Sequence, residues 1–174
     1  MSLKRVRTPC VGICSTTFGD TVCRGCRRFL HEVVNWNAYN EAQKAIVWHR
    51  LDNFMGLVVS NYVQIVDAQL LQQQLEYQNL RYQAELSPTG WVPELLKAAG
   101  EQQLDWAAFG LAPSHEAETL SPKALYERIC AELHALSQAH YDRAHARPVR
   151  EVAAELLQER PTTESDSDGI AHGA

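Results

Sequence analysis

Four cysteines fall within the first 26 residues, Cys10, Cys14, Cys23 and Cys26, in the spacing C-x3-C-x8-C-x2-C. Each close pair supplies two sulfurs from one tight turn, and the loop from Ser15 to Val22 is long enough to fold the pairs around one centre. Four thiolates satisfy a tetrahedral zinc ion. They equally satisfy an iron–sulfur cluster. Soft sulfur ligands exclude magnesium and calcium but do not separate iron from zinc. Gly25, inside the second pair, lets the backbone turn and aim amides at a sulfur. A helix is predicted to start near Cys26, which puts that sulfur where the helix dipole favours a thiolate. Cysteines packed merely as small hydrophobes do not usually come as two close pairs in a glycine-containing loop. Thiol–disulfide exchange through Cys23 and Cys26 is the competing chemistry. It lacks a βαβ context and leaves Cys10 and Cys14 without a task.

Around the ligands, Arg27 and Arg28 favour thiolate, and Glu32 and Trp36 follow one helical turn apart. Glu32 is placed to bond an arginine or a ligand-loop amide, and Trp36 to shield the metal, as outer-shell groups commonly do. Gly25, Arg27, Arg28, Glu32 and Trp36 are therefore the expected supporting residues. Cys130 sits beside the stripe of Ile129 and Leu133 and reads as a packed hydrophobe, not a ligand. His134, His140 and His145 are spaced six and five apart, which does not gather them on one helical face. No phosphate-binding glycine loop, nucleophile elbow or H-E-x-x-H is present, which weakens nucleotide, hydrolase and zinc-protease readings. A non-enzymatic role is the preferred reading.

The elements that must hold these residues are mostly helices. Residues 1–26 lack periodicity and hold Pro9, Gly12, Gly19 and Gly25. Phe29, Leu30, Val33 and Val34 recur at helical spacing. Asn40 with Gln43 forms a capping box for a helix over about Glu41–Val59. Tyr62–Val66 is a short extended candidate. Asp67 caps a helix carrying Leu70, Leu71 and Leu75. Trp91–Ala99 is a short helix ended by Gly100, and Gln103–Glu118 reads as irregular but anchored by aromatics. Ser121-Pro122 starts a helix whose stripe is Leu125, Ile129, Leu133 and Leu136. A last helix starts at Pro148 and ends at Pro161. The fold class is mainly α: a four-cysteine metal-binding module at 1–51, a helical extension at 52–160, and an acidic tail at 161–174 expected to be disordered.

The chain has 174 residues, a formal net charge of −5 and 45% hydrophobic residues, enough for one modest domain or a module plus an appendage. No apolar run reaches the roughly 18 residues of a membrane span, and no apolar signal core follows the basic start. The expected setting is the reducing cytoplasm, with no membrane association. Lys4, Arg5, Arg7, Arg24, Arg27 and Arg28 make the first 35 residues basic against Asp20 and Glu32. Because the arginines interleave with the cysteines, they read as offsetting thiolate charge; nucleic acid is the weaker partner reading and an unidentified protein the stronger.

Residues Thr8 to Leu51 resemble the domain of unknown function 1289 family, the YdhL-like predicted iron–sulfur proteins of bacteria. The resemblance rests on Pro9-Cys10, Val11-Gly12-Ile13-Cys14, Cys23-Arg24-Gly25-Cys26-Arg27-Arg28, His31-Glu32-Val33, Trp36 and the capped helix through Lys44 to Leu51. Phe29 stands where the resemblance leads one to expect Thr or Ser. The resemblance implies four cysteine ligands and a cluster, with no reaction assigned, and the rest of the chain resembles the helical extension of longer members. The expected function is therefore an iron–sulfur protein with an electron-transfer or sensing role. A zinc knuckle serving protein or nucleic-acid interaction is the alternative, and a thiol–disulfide oxidoreductase the second alternative.

Overall fold

Glu32 caps a short helix, α1 (Leu30–Val34), by accepting the Phe29 amide at 2.8 Å. Asn40 and Gln43 cap the next helix, α2 (Glu41–Val59), reciprocally, each side chain accepting the other's amide at 2.9 Å. Asp67 accepts from the Gln69 and Leu70 amides to start α3 (Ala68–Tyr77). Helix α4 (Val92–Ala99) ends at Gly100, whose φ of 60° is the left-handed stop the sequence predicts. The computed structural model describes residues 6–158, which divide into two compact units between Tyr141 and Asp142. The expected helix stop at Pro161 and the acidic tail lie outside the described residues.

Strand β1 (Val63–Ile65) falls inside the predicted extended segment. It pairs antiparallel with β2 (Leu111–Pro113), Val63 opposite Pro113 and Ile65 opposite Leu111. Gly110 feeds β2 at φ 66°, and a Cβ there would stand 2.5 Å from the Asp67 carbonyl oxygen, so only glycine fits. Its own carbonyl accepts the Val66 and Asp67 amides, both at 2.9 Å. The segment read as irregular thus holds a strand and a short helix, α5 (His115–Thr119), capped by Ser114. A three-residue strand containing proline is too short for a period-two pattern to show.

The core of the first unit is built on α6 (Pro122–Tyr141), started by Ser121, which accepts the Ala124 amide at 3.2 Å. Its stripe of Leu125, Ile129 and Leu133 is buried against Val58 and Val59 of α2, Leu71 and Leu75 of α3, and Val92, Leu95 and Leu96 of α4. In the second unit a π-helical turn, Asp142–Ala146, precedes α7 (Arg147–Gln158), with Pro148 in its first turn as predicted. The structure is mainly α, as expected, and among the described residues no helix is long and apolar enough to cross a membrane. Leu125 is fully buried at the centre of this packing. Leu125→Ala is expected to destabilise the protein by about 2–5 kcal/mol, through lost transfer energy plus a cavity, in urea denaturation followed by circular dichroism.

Candidate metal centre

The second cysteine pair sits at the tip of a tight hairpin. Val22 and Phe29 form an antiparallel bridge, with the Leu30 amide donating to the Thr21 carbonyl at 2.8 Å and the Cys23 amide to the Arg28 carbonyl at 2.9 Å. Inside it, the Arg27 amide donates back to the Cys23 carbonyl at 2.8 Å, and Arg27 takes φ 59° to close the turn. The helix predicted to begin near Cys26 begins instead at Leu30. The hairpin takes the three residues between, Arg27, Arg28 and Phe29, so Cys26 has no helix terminus beside its sulfur. Gly25 is required for close approach. A Cβ there would lie 2.7 Å from Val11 Cγ2 and 3.2 Å from the Ile13 carbonyl oxygen, so the first cysteine segment crosses directly over the hairpin tip.

Cys23 is buried at the base of this turn. Burial pushes its thiol up, but hydrogen bonds from the Cys26, Ser15 and Gly25 backbones, with one from the Cys26 side chain, outweigh that and bring it down to about 7. Cys14 Sγ lies 4.0 Å from Cys23 Sγ and 2.9 Å from Thr16 Oγ1. Cys26 is also buried; burial pushes its thiol up, opposed by Arg28, whose Nε donates to Cys26 Sγ at 3.3 Å. Cys23 is thus the neighbour of both Cys14 and Cys26. Cys10 is exposed, on the crossing segment beside Gly12, whose φ is 112°. Among the described residues no group of three or more ligand-type side chains is gathered as tightly as a bound ion requires. The backbone N–H groups on Cys23 nevertheless favour its thiolate, the form that binds a thiophilic metal, whereas burial keeps the Cys26 thiol up despite Arg28. Cys130 lies on α6, half-buried, where its carbonyl oxygen accepts Arg27 Nη2 at 3.3 Å.

Of the predicted supporting residues, Glu32 is tied to Arg50, and Arg28 to Trp36 and Cys26. Glu32 Oε2 accepts both the Phe29 amide at 2.8 Å and Arg50 Nη2 at 2.6 Å. Arg50 lies over the Phe29 ring, its Cζ 3.9 Å from the centroid. Arg28 lies over Trp36 at 4.8 Å, so Trp36 covers the guanidinium that bonds Cys26. Arg28 Nη1 and Arg50 Nη1 are buried with no acceptor. Glu32 thus compensates the half-buried Arg50, whereas the buried Arg28 has Cys26 Sγ as its polar contact. Sequence reading missed Arg50. It stands on α2, eighteen residues after Glu32, and no local spacing links the two. The hairpin is fixed to α6 by the Thr21 hydroxyl, 3.0 Å from Gln138 Nε2, and by the Arg27 bond to Cys130.

Glu32→Ala leaves Arg50 buried without its partner and is expected to cost about 3–5 kcal/mol of stability. Urea denaturation of the single variant and of the Glu32→Ala, Arg50→Met pair should show the double variant less destabilised than the single. In metal-free protein the depressed Cys23 thiol contributes stability that is fully present above its ordinary pKa of about 9. That contribution is lost as pH falls through about 7. Wild type minus Cys23→Ser should therefore show a stability difference that shrinks as pH is lowered across that window, read from denaturation midpoints.

No curated protein and no solved structure matches the chain. The hairpin, α1 and most of α2 do have a counterpart: residues 8–55 match the family model of the Protein of unknown function (DUF1289).

Proposed function

We propose that this chain is a metal-binding protein whose centre is held by Cys10, Cys14, Cys23 and Cys26, an iron–sulfur cluster serving electron transfer or sensing. The observation that carries the reading is Cys23 with Cys14 and Cys26 as neighbours, backbone N–H groups on its sulfur and the Arg28 guanidinium on that of Cys26. Such a cluster supplies one-electron chemistry, at a potential set by hydrogen bonds to sulfur, net charge and exposure. In that role the Cys23 hairpin stabilises thiolate, Arg28 and Arg50 offset negative charge, and Trp36 excludes water from the Arg28 side. Cys10 closes the set from the exposed side, giving the centre a solvent-facing edge. Val11, Ile13 and Phe18 are exposed along the same loop and offer an apolar face to a protein partner. The setting proposed is the cytoplasm, where thiols stay reduced.

A mononuclear zinc knuckle is the second reading, favoured by one distance. Cys14 Sγ and Cys23 Sγ stand 4.0 Å apart. A tetrahedral ion with metal–sulfur bonds near 2.3 Å has sulfurs about 3.8 Å apart. Under this reading the hairpin is a scaffold for protein or nucleic-acid interaction. Thiol exchange loses the helix terminus that recommended it, because Cys23 and Cys26 lie on a hairpin.

Metal analysis of protein purified without oxygen separates the readings. Matching iron and sulfide with broad visible absorbance supports the cluster. One zinc in colourless protein supports the knuckle, and a metal-free, fully folded hairpin overturns both. Serine at any of the four ligand positions should lower metal content, whereas Cys130→Ala should retain it. The exposed side chains of Val11, Ile13 and Phe18 bury little apolar surface, so the loop's order must come largely from the metal. Hydrogen exchange on chelated protein should accordingly lose protection over residues 10–20 and keep it in α6. Unchanged protection in the loop would show that packing alone holds it.

A further inference from the structure

A cleft of about 670 Å³ opens between the cysteine hairpin and the helical body, within the first unit. That is the size of a site for a small organic molecule. Its floor is apolar, with Leu51, Phe54 and Met55 of α2 facing Leu133 of α6. Its polar groups are chiefly donors. Arg27 Nε is buried with no acceptor, although the other guanidinium nitrogens bond the Gly25 and Cys130 carbonyls. Ser137 lines the cleft, is fully buried and has a hydroxyl with no partner. Burial, then Cys130, push the Tyr126 hydroxyl up to about 12, so it remains a donor at neutral pH.

The charge lining the cleft is positive. Arg24 is paired with Asp20 at 2.9 Å. Of the remainder, Arg7, Arg27, Arg81 and Lys97 stand against Asp52 and Glu94. Asp52 is already engaged by the Ser87 hydroxyl at 2.8 Å and the Ser87 amide at 3.2 Å. A chain of net charge −5 therefore lines this cleft with excess cation. Unpaired buried donors cost stability unless an acceptor arrives. Along α6, Ser137 stands about 10 Å beyond Cys130, to which Arg27 reaches.

We propose that this cleft binds an elongated organic anion, with an acidic headgroup at Arg27 and Tyr126, an apolar body along Leu133, and a second acceptor near Ser137. The site is independent of which metal the cysteines hold. Neither Arg27 nor any residue of α6 is a ligand in either metal reading.

The test uses the full-length, metal-loaded chain and two fluorescent probes of similar shape, anilinonaphthalene sulfonate and its uncharged counterpart phenylnaphthylamine. The anionic dye should bind saturably at one site, at least about tenfold more tightly than the neutral dye, and more weakly as salt is added. Arg27→Gly removes the guanidinium together with its tether to Cys130, while glycine suits the φ of 59° at this position, so the turn itself is kept. It should weaken the anionic dye by about tenfold or more. Ser137→Ala and the rim change Lys97→Glu should each weaken it several-fold without lowering thermal stability. Equal affinity for the two dyes, absence of saturable binding, or affinity unaffected by these three changes would overturn the proposal.

Discussion

The buried carboxylate of Glu32 is the interaction on which the N-terminal architecture depends. One oxygen holds the Phe29 amide, which fixes where the hairpin ends and α1 begins. The same oxygen holds Arg50, which ties that junction to α2. Arg50 in turn stacks on Phe29, closing a ring of contacts around the strand that leaves Cys26. A charge this deep is tolerated only because it is paired and hydrogen-bonded at once. The pairing links hairpin, α1 and α2, so the orientation of the cysteine tip follows from the body of the protein.

Helix α6 carries the other half of the arrangement. One face gives Leu125, Ile129 and Leu133 to the core. Adjoining positions give the Cys130 carbonyl to Arg27 and the Gln138 side chain to Thr21. Burial of the apolar stripe, at about 1.5–3 kcal/mol per side chain, is what makes the helix a rigid support. The polar contacts are few and local, and they set register against the hairpin more than they add stability.

Much of this was legible in the residues. Caps at Asn40, Asp67 and Ser121 and the α6 stripe are local signals, each spanning one or two turns, and local signals survive folding. Glu32 was legible as a group that bonds an arginine or a loop amide, and it does both. The start of α1 was misread because Phe29 and Leu30 share an apolar periodicity with the residues after them, while the hairpin pairing of Val22 with Phe29 is set by a turn that hydropathy does not register. Strand β2, at three residues, gave no pattern of its own. Arg50 and the cleft under Arg27 arise only when distant segments meet, and no single stretch of sequence contains either.

The hairpin pairing has a consequence for how the chain can vary in length. Thr21 and Cys23 on one side and Arg27, Arg28 and Leu30 on the other are locked by backbone bonds on both flanks of the second cysteine pair. An added residue between Cys23 and Cys26 would rotate one flank against the other and bring the wrong side chains to the base of the turn. Ser15 Oγ accepts the Arg24 amide at 2.8 Å and Thr16 Oγ1 meets Cys14 Sγ at 2.9 Å, but Thr17 to Gly19 are held by a short 3-10 turn closed by Gly19, with Phe18 in solvent. Insertions belong there: the spacing inside the second pair is rigid by geometry, and the spacing between the pairs is free.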